Sequence, residues 1–146
     1  MFERYTEPAR RALFFSRYEA SMLGSPSIEA DHLLLGALRD GKGIISDVLA
    51  RVPMDFISLR NEILSHTPAR EPFSPSVAIP FSAECKHILQ FAAEEADRLA
   101  HAHIGPEHLL LGMLRRQDSG AGRLLLEKGV DLKLARAEIA RLTDKG

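Results

Sequence analysis

The chain has 146 residues, 45% of them hydrophobic and 27% charged, which is enough apolar material for the core of one globular domain. The net charge of -1 and the 6% aromatic content argue against a nucleic-acid-binding protein or one attracted to anionic membranes. Cys85 is the only cysteine, so no intrachain disulfide can form. Because no apolar run is long enough for a signal sequence or a membrane span, the sequence predicts a cytoplasmic protein.

The second half of the chain repeats the first half in one register, without gaps. The string HLLLG at residues 32–36 recurs at residues 108–112. Roughly 18 identities are spread over about 59 aligned positions, which indicates two copies of one supersecondary unit. We therefore divide the chain into repeat one, residues 2–65, a linker, residues 66–80, and repeat two, residues 81–143. The linker contains four prolines, which disfavour a regular helix: Pro68, Pro72, Pro75 and Pro80.

The first helix of each repeat is predicted to begin after a hydroxyl residue, Thr6 in repeat one and Ser82 in repeat two, because hydroxyl side chains cap helix N-termini. In repeat two, apolar residues recur at helical spacing and form one buried stripe. We expect Cys85 to lie on this stripe as inert core, and Glu95 to lie off it with the other charged residues. The stripe consists of Cys85, Ile88, Leu89, Ala92, Ala96 and Leu99.

The second helix of each repeat contains the HLLLG string and is predicted to be buried on most sides, because three adjacent leucines cover more than one face. Glycine inside a helix costs about 1 kcal/mol relative to alanine. Its presence at both Gly36 and Gly112 therefore predicts a close helix–helix crossing in each repeat. His32 and His108 precede the leucines, and we expect each to be a buried histidine with one satisfied hydrogen bond.

The third helices are predicted over residues 43–51 and 119–128. Asp55 and Asp131 are expected to cap the fourth helices. No segment shows the apolar–polar alternation of a strand, so no sheet is predicted. The expected fold is all-α, with two pseudo-symmetric four-helix repeats packed into one eight-helix domain.

The segments Tyr5–Glu7, Ile28–Gly36 and Ile104–Gly112 resemble the Clp N-terminal (Clp repeat) domain, and most closely the N-domain of ClpC-type AAA+ ATPases. The resemblance implies a non-catalytic, monomeric module without a cofactor, which recruits substrates or adaptor proteins to a Clp-type ATP-dependent unfoldase or protease. The sequence contains no G-x-x-x-x-G-K-[ST] phosphate loop, so ATP hydrolysis by this chain is excluded.

The resemblance also implies candidate ligand residues, because each half of a ClpC-type N-domain can present a pocket for phosphorylated arginine. An acidic residue of the motif takes the guanidinium, and a hydroxyl residue at the start of the first helix helps to hold the phosphate. By motif, repeat one offers Thr6 with Asp31, and repeat two offers Ser82 with Glu107. The alternative is that the hydroxyl residues are only helix caps, and that the acidic residues only complement helix dipoles.

Both copies depart from the family's usual Gly-Thr-Glu-His motif. Repeat one has Glu29, Ala30 and Asp31 before its histidine, so its carboxylate is one methylene shorter and an additional negative charge lies nearby. Repeat two has Pro106 in place of threonine but keeps Glu107. These departures predict that the two pockets differ, and that the second repeat has the better carboxylate.

Two equivalent surfaces on one rigid body would also predict avidity, of about 10²-fold, for a partner with two determinants. The missing phosphate loop in a chain with its own Met1 leaves a free-standing regulator or small chaperone-like protein open as an alternative. Such a protein would compete for the adaptor surface of an ATPase encoded elsewhere.

A remote alternative is a metal-dependent hydrolase that uses His103, Glu107 and His108. The spacing of these residues is not that of two ligands one helical turn apart, and no cysteine joins them, so no metal site is predicted. The pairs Arg10–Arg11 and Arg115–Arg116 are expected to be solvated helix faces and not a nucleic-acid-binding stripe.

Overall fold

The computed structural model describes residues 2–144, and the regular secondary structure of this range consists of eight α-helices without a strand, which confirms the all-α prediction. None of the helices in this range is both long and apolar enough to cross a bilayer. Repeat one contains the first four helices and repeat two the last four. They are α1 Glu7–Met22, α2 Ala30–Leu38, α3 Ile44–Val48, α4 Phe56–Ser65, α5 Ala83–Arg98, α6 Pro106–Arg115, α7 Gly120–Glu127 and α8 Leu132–Thr143.

The helix boundaries follow side-chain caps, as the sequence predicts. The side chains of four predicted cap residues each accept a hydrogen bond from a backbone N–H three residues further on. These residues are Thr6, Ser82, Asp55 and Asp131. The third helices are shorter than predicted: α3 starts at Ile44, directly after Gly43 with a φ angle of +86°, and already ends at Val48.

The close crossings predicted at Gly36 and Gly112 are confirmed. A Cβ added at Gly36 would overlap the carbonyl oxygen of Ala12 on α1. A Cβ added at Gly112 would lie 2.5 Å from the carbonyl oxygen of Ile88 on α5. The backbones of α1 and α2, and of α5 and α6, therefore approach each other more closely than a larger side chain would permit.

A crossed exchange of short segments joins the two repeats. Tyr5 of repeat one pairs with Ile104 of repeat two, and Phe81 of repeat two pairs with Ile28 of repeat one. The two bridges occupy equivalent positions, so they follow the pseudo-twofold symmetry. Each start of a first helix thereby lies against the loop before the second helix of the other repeat. The hydrogen bonds run from Thr6 N to Ile104 O at 3.0 Å, Ile104 N to Arg4 O at 2.9 Å, Ser82 N to Ile28 O at 3.0 Å and Ile28 N to Pro80 O at 2.8 Å.

Each repeat also buries one glutamate between two arginines. In repeat two, Glu95 is 1% exposed and bonds Arg136 through both oxygens, at 2.8 and 2.7 Å, and Arg115 at 3.3 Å. The expectation that Glu95 lies on the polar face of its helix is wrong, because these two arginines neutralise it in the interior. Arg115 is therefore also not a freely solvated side chain. Glu19, Arg60 and Arg39 form the equivalent group in repeat one.

Candidate ligand-binding clefts between the repeats

A cleft of about 390 Å³ lies where the start of α1 meets the start of α6. It brings Thr6 together with Glu107, which belong to different repeats. The expected pairing of Thr6 with Asp31 inside repeat one is therefore corrected, because the crossed backbone exchange places each first helix beside the other repeat's motif. The cleft is lined by Thr6, Pro8, Arg11, Gly36, Ala37, Asp40, Lys42, Gly43, Ile44, Ile45, Gly105, Pro106 and Glu107.

The carboxylate of Glu107 is a partly buried acidic group of this cleft. Its side chain is 12% exposed, and burial raises its pKa although a backbone hydrogen bond opposes the shift. The carboxylate folds over Gly105, where an added Cβ would lie 2.5 Å from Oε1. His108 Nδ1 lies 4.0 Å away, but this nitrogen accepts the Gly105 N–H and carries no proton of its own. Within residues 2–144, no arginine or lysine forms an ion pair with Glu107.

Basic side chains line the rim of the same cleft. Arg11 pairs with Asp40 at 3.1 Å, and exposed Lys42 has no ion-pair partner in the described part of the chain. Thr6 Oγ1 accepts the Ala9 N–H, an arrangement that leaves its own hydroxyl hydrogen available to a ligand. The remaining walls are mostly apolar and include Pro8, Ile44 and Pro106.

The pseudo-symmetric pocket combines Ser82 and Asp31, again from different repeats. Ser82 N donates to Ile28 O, which brings the start of α5 beside the loop that carries Asp31. Asp31 lies against Gly120 at the start of α7, where an added Cβ would overlap Asp31 Oδ1. Burial raises the pKa of Asp31, and the nearby charge of Glu29 raises it further. Thus all four sequence-predicted ligand residues lie at the two interfaces between the repeats.

A hydrogen-bonded chain of side chains runs behind the Glu107 cleft. His108 Nδ1 accepts the Gly105 N–H at 2.9 Å, so its Nε2–H donates to His101 Nδ1 at 2.8 Å. His101 Nε2 then carries a proton for Thr143 Oγ1 at 3.1 Å, and Thr143 donates to Ile139 O at 2.7 Å. The predicted buried role of the two motif histidines is confirmed, since His32 likewise accepts the Glu29 N–H. The second link, through His101, was missed from the sequence.

The residues of the metal-enzyme alternative do not converge. His103 is exposed, whereas His108 is buried and directed at His101. Among residues 2–144, no three His, Cys, Asp or Glu side chains are arranged to hold a metal ion. Cys85 is buried as predicted, and burial raises the pKa of its thiol to about 12, so it is not a reactive thiolate.

The crossed pseudo-twofold bundle and its repeated motif define a class of all-helical repeat domain. The chain belongs to the Clp repeat (R) N-terminal domain family, whose model matches residues 4–128 and 80–146. The resemblance drawn from the HLLLG motif is therefore confirmed. The chain is also 32% identical over 142 residues to the chaperone protein ClpB of Oceanobacillus iheyensis. It is 32% identical, also over 142 residues, to the negative regulator of genetic competence ClpC/MecB of Bacillus subtilis.

Each of these alignments covers 97% of this chain and 17% of the relative, so the chain spans about one sixth of the relatives' length. The N-terminal domain of the chaperone ClpD from Arabidopsis thaliana has a TM-score of 0.76 and 31% identity, and the match covers 99% of this chain and 100% of that one. The ClpV N-domain in complex with a VipB peptide has a TM-score of 0.77 at 17% identity, with 99% and 92% covered. The similarity to the ClpV N-domain shows a shared fold alone.

Proposed function

We propose that this module recruits protein substrates or adaptors to a Clp-type ATP-dependent unfoldase or protease, and that the Thr6–Glu107 cleft binds a phosphorylated arginine side chain. The observation that carries the proposal is the Glu107 carboxylate, which is only 12% exposed and has no arginine or lysine partner within residues 2–144. Buried carboxylates are normally paired, because desolvation of an unpaired charge is costly. A guanidinium from a bound protein would supply the missing cation through two parallel hydrogen bonds.

The surroundings of Glu107 suit the rest of such a ligand. Phosphoarginine carries its phosphate on the guanidinium, so basic side chains are required at the rim of the cleft, close to the Glu107 carboxylate. Lys42 provides an unpaired basic group there, Arg11 provides a second that is shared with Asp40 at 3.1 Å, and the Thr6 hydroxyl can donate to a phosphate oxygen. The apolar walls suit the aliphatic stem of an arginine side chain.

Recruitment without catalysis is the activity that family membership supports. The ClpV N-domain, which has this fold, forms a complex with a VipB peptide. Among the described residues that line the Thr6–Glu107 cleft are a carboxylate, basic groups and a hydroxyl, which suit binding of a charged ligand. We therefore assign the chain to binding, with turnover of the captured protein performed by an associated ATPase.

Titration calorimetry with phosphoarginine tests the assignment, and unmodified arginine is the control ligand. Glu107→Gln is expected to weaken binding by roughly tenfold to hundredfold, because a charge-assisted hydrogen-bond pair is lost. Glu127→Gln, at an exposed position on α7, should leave the affinity unchanged. Absence of heat from phosphoarginine, combined with binding of an adaptor protein of a Clp ATPase, would reject the ligand but keep the recruitment role. Failure to bind either would reject both.

A further inference from the structure

Equivalent positions at the floors of the two pockets hold different residues. Gly105 has no side chain, and this allows the Glu107 carboxylate to fold over it. The equivalent residue in repeat one is Glu29, whose own Cβ takes up that space. Its carboxylate bonds the Ser27 hydroxyl. Asp31 therefore lies against the start of α7 and not over the preceding loop.

The starts of α1 and α5 also differ, and this difference again favours an open Thr6–Glu107 cleft over an open Ser82–Asp31 pocket. Glu84 of α5 accepts a hydrogen bond from the Gly120 backbone, which draws the start of α7 towards the Ser82–Asp31 pocket. The equivalent residue on α1 is Pro8, which has no polar side chain, and Ile44 stands in place of Gly120. The start of α3 is consequently not drawn inwards, and the Thr6–Glu107 cleft stays open.

The rims carry one acidic and one basic side chain each, at exchanged positions. Lys42 and Asp40 of the open cleft correspond to Asp118 and Arg116 of the other pocket. Arg116, the nearest basic side chain to this position in sequence, bonds both Asp118 and His87 at 2.7 Å. Arg11 of the open cleft is likewise paired, with Asp40 at 3.1 Å, so the rim charges do not distinguish the two pockets.

From the first two differences, at Glu29 and Gly105 and at the starts of α5 and α7, we infer that the two pockets are functionally unequal. The Thr6–Glu107 cleft alone takes the phosphorylated guanidinium, and the Ser82–Asp31 pocket is filled by the start of α7. This inference rests on the proposed function and specifies its stoichiometry: one phosphoarginine for each chain. Avidity between two sites, which the sequence repeat predicts, is then lost for this ligand.

Amide chemical-shift mapping with ¹⁵N-labelled protein and phosphoarginine separates the two pockets. We expect saturable shifts at Thr6 and at residues 105–108, and none at Ser82, Asp31 or Gly120. Two sets of shifts with similar midpoints would overturn the inequality but leave the proposed function standing. No shifts at either pocket would overturn the inequality and the phosphoarginine ligand together, and would leave the recruitment role to the adaptor-binding test.

An exchange of the two floor residues tests the physical cause. Gly105→Glu should weaken phosphoarginine binding by roughly tenfold or more, because the new side chain displaces the Glu107 carboxylate. Gly105→Ala is the milder second variant and should weaken binding by about threefold, and thermal unfolding verifies that both proteins are folded. The matched control is Glu29→Gly, which should leave the affinity of the open cleft unchanged. Folded Gly105 variants that bind like the wild type would contradict the inference.

Discussion

Glu19 and Glu95 occupy equivalent positions in the two repeats and bind equivalent pairs of arginines. Glu29 and Gly105 are also equivalent in position, yet Glu29 has a side chain that bonds Ser27, whereas Gly105 leaves space for the Glu107 carboxylate. These two pairs of positions show where the duplicated fold tolerates change. Buried charges must be neutralised in both copies, so both repeats keep the triad of one buried glutamate and two arginines. A residue that faces the cleft can change the pocket without disturbing the core.

The largest expected effect is the loss of stability when the buried glutamate of a triad is removed. Glu95→Ala should lower the free energy of unfolding by about 3 kcal/mol, because Arg136 and Arg115 would be left without their buried partner. Glu19→Ala should cost about 1 kcal/mol less, because its contacts are fewer and longer, 3.0 Å to Arg60 and 3.6 Å to Arg39. Urea unfolding at pH 7 measures both values.

The control for the triad prediction is Glu94→Ala. Glu94 also pairs with Arg115, at 2.9 Å, but its side chain is 47% exposed. An exposed ion pair contributes at most about 1 kcal/mol, so this variant should remain close to the wild type. Equal losses for Glu94→Ala and Glu95→Ala would show that burial does not decide the effect.

A pH effect of intermediate size tests whether the motif histidines are equivalent. Burial lowers the pKa of His32 and of His108 from 6.5 to about 4, and His101 and Arg4 add to the shift at His108. The folded state binds fewer protons than the unfolded state between these values, so stability is full above pH 6.5 and is lost as the pH falls towards 4. Each histidine should contribute a loss of roughly 2 kcal/mol between pH 7 and pH 4.5.

Comparison of histidine variants with the wild type isolates this contribution. Burial raises the pKa values of Asp31 and Glu107, so these groups act in the opposite direction, and their contribution cancels in the comparison. His32→Asn and His108→Asn should each flatten the dependence of the unfolding free energy on pH. Exposed His103→Asn should keep the wild-type slope, and a steep slope that survives both buried substitutions would contradict the assignment.

The fold was largely predictable because its determinants are local. Hydroxyl and aspartate residues at helix N-termini predict helix boundaries, and the HLLLG strings predict buried helices. Gly36 and Gly112 predict the close helix crossings. The buried position of Glu95 was not predicted, because its partners Arg115 and Arg136 are brought to it only by tertiary packing. Glu95, Arg115 and Arg136 are each identical to the equivalent residue of repeat one, and this shared identity was the signal that could have revealed the buried group.

The candidate ligand residues could be named from the motif, but their pairing could not. Thr6 meets Glu107 only because the chain exchanges segments at Tyr5–Ile104 and Ile28–Phe81, a topology that short-range patterns do not encode. The difference between the two pockets was visible in the sequence, because Glu29 and Gly105 occupy equivalent positions of the two repeats. The consequence of that difference required knowing that the Glu107 carboxylate folds back over the glycine.

The smallest expected effect concerns the ends of α4 and α8. Thr67 and Thr143 are equivalent, and each hydroxyl donates to a carbonyl oxygen four residues earlier, at 2.7 Å. Only Thr143 also accepts from a histidine, His101, because repeat one has Ser25 at the equivalent position. Thr143→Val should therefore cost about 1 kcal/mol more than Thr67→Val in urea unfolding, since His101 Nε2 loses its acceptor.

A double-mutant cycle decides whether that additional cost comes from the histidine chain. If it does, Thr143→Val should cost about 1 kcal/mol less when His101 is already replaced by serine, whereas the cost of Thr67→Val should not depend on His101. The cycle is informative because the two threonines share the same helix-terminal hydrogen bond and differ in one neighbour. Additive losses for Thr143→Val and His101→Ser would mean that the chain behind the Glu107 cleft does not stabilise the end of α8.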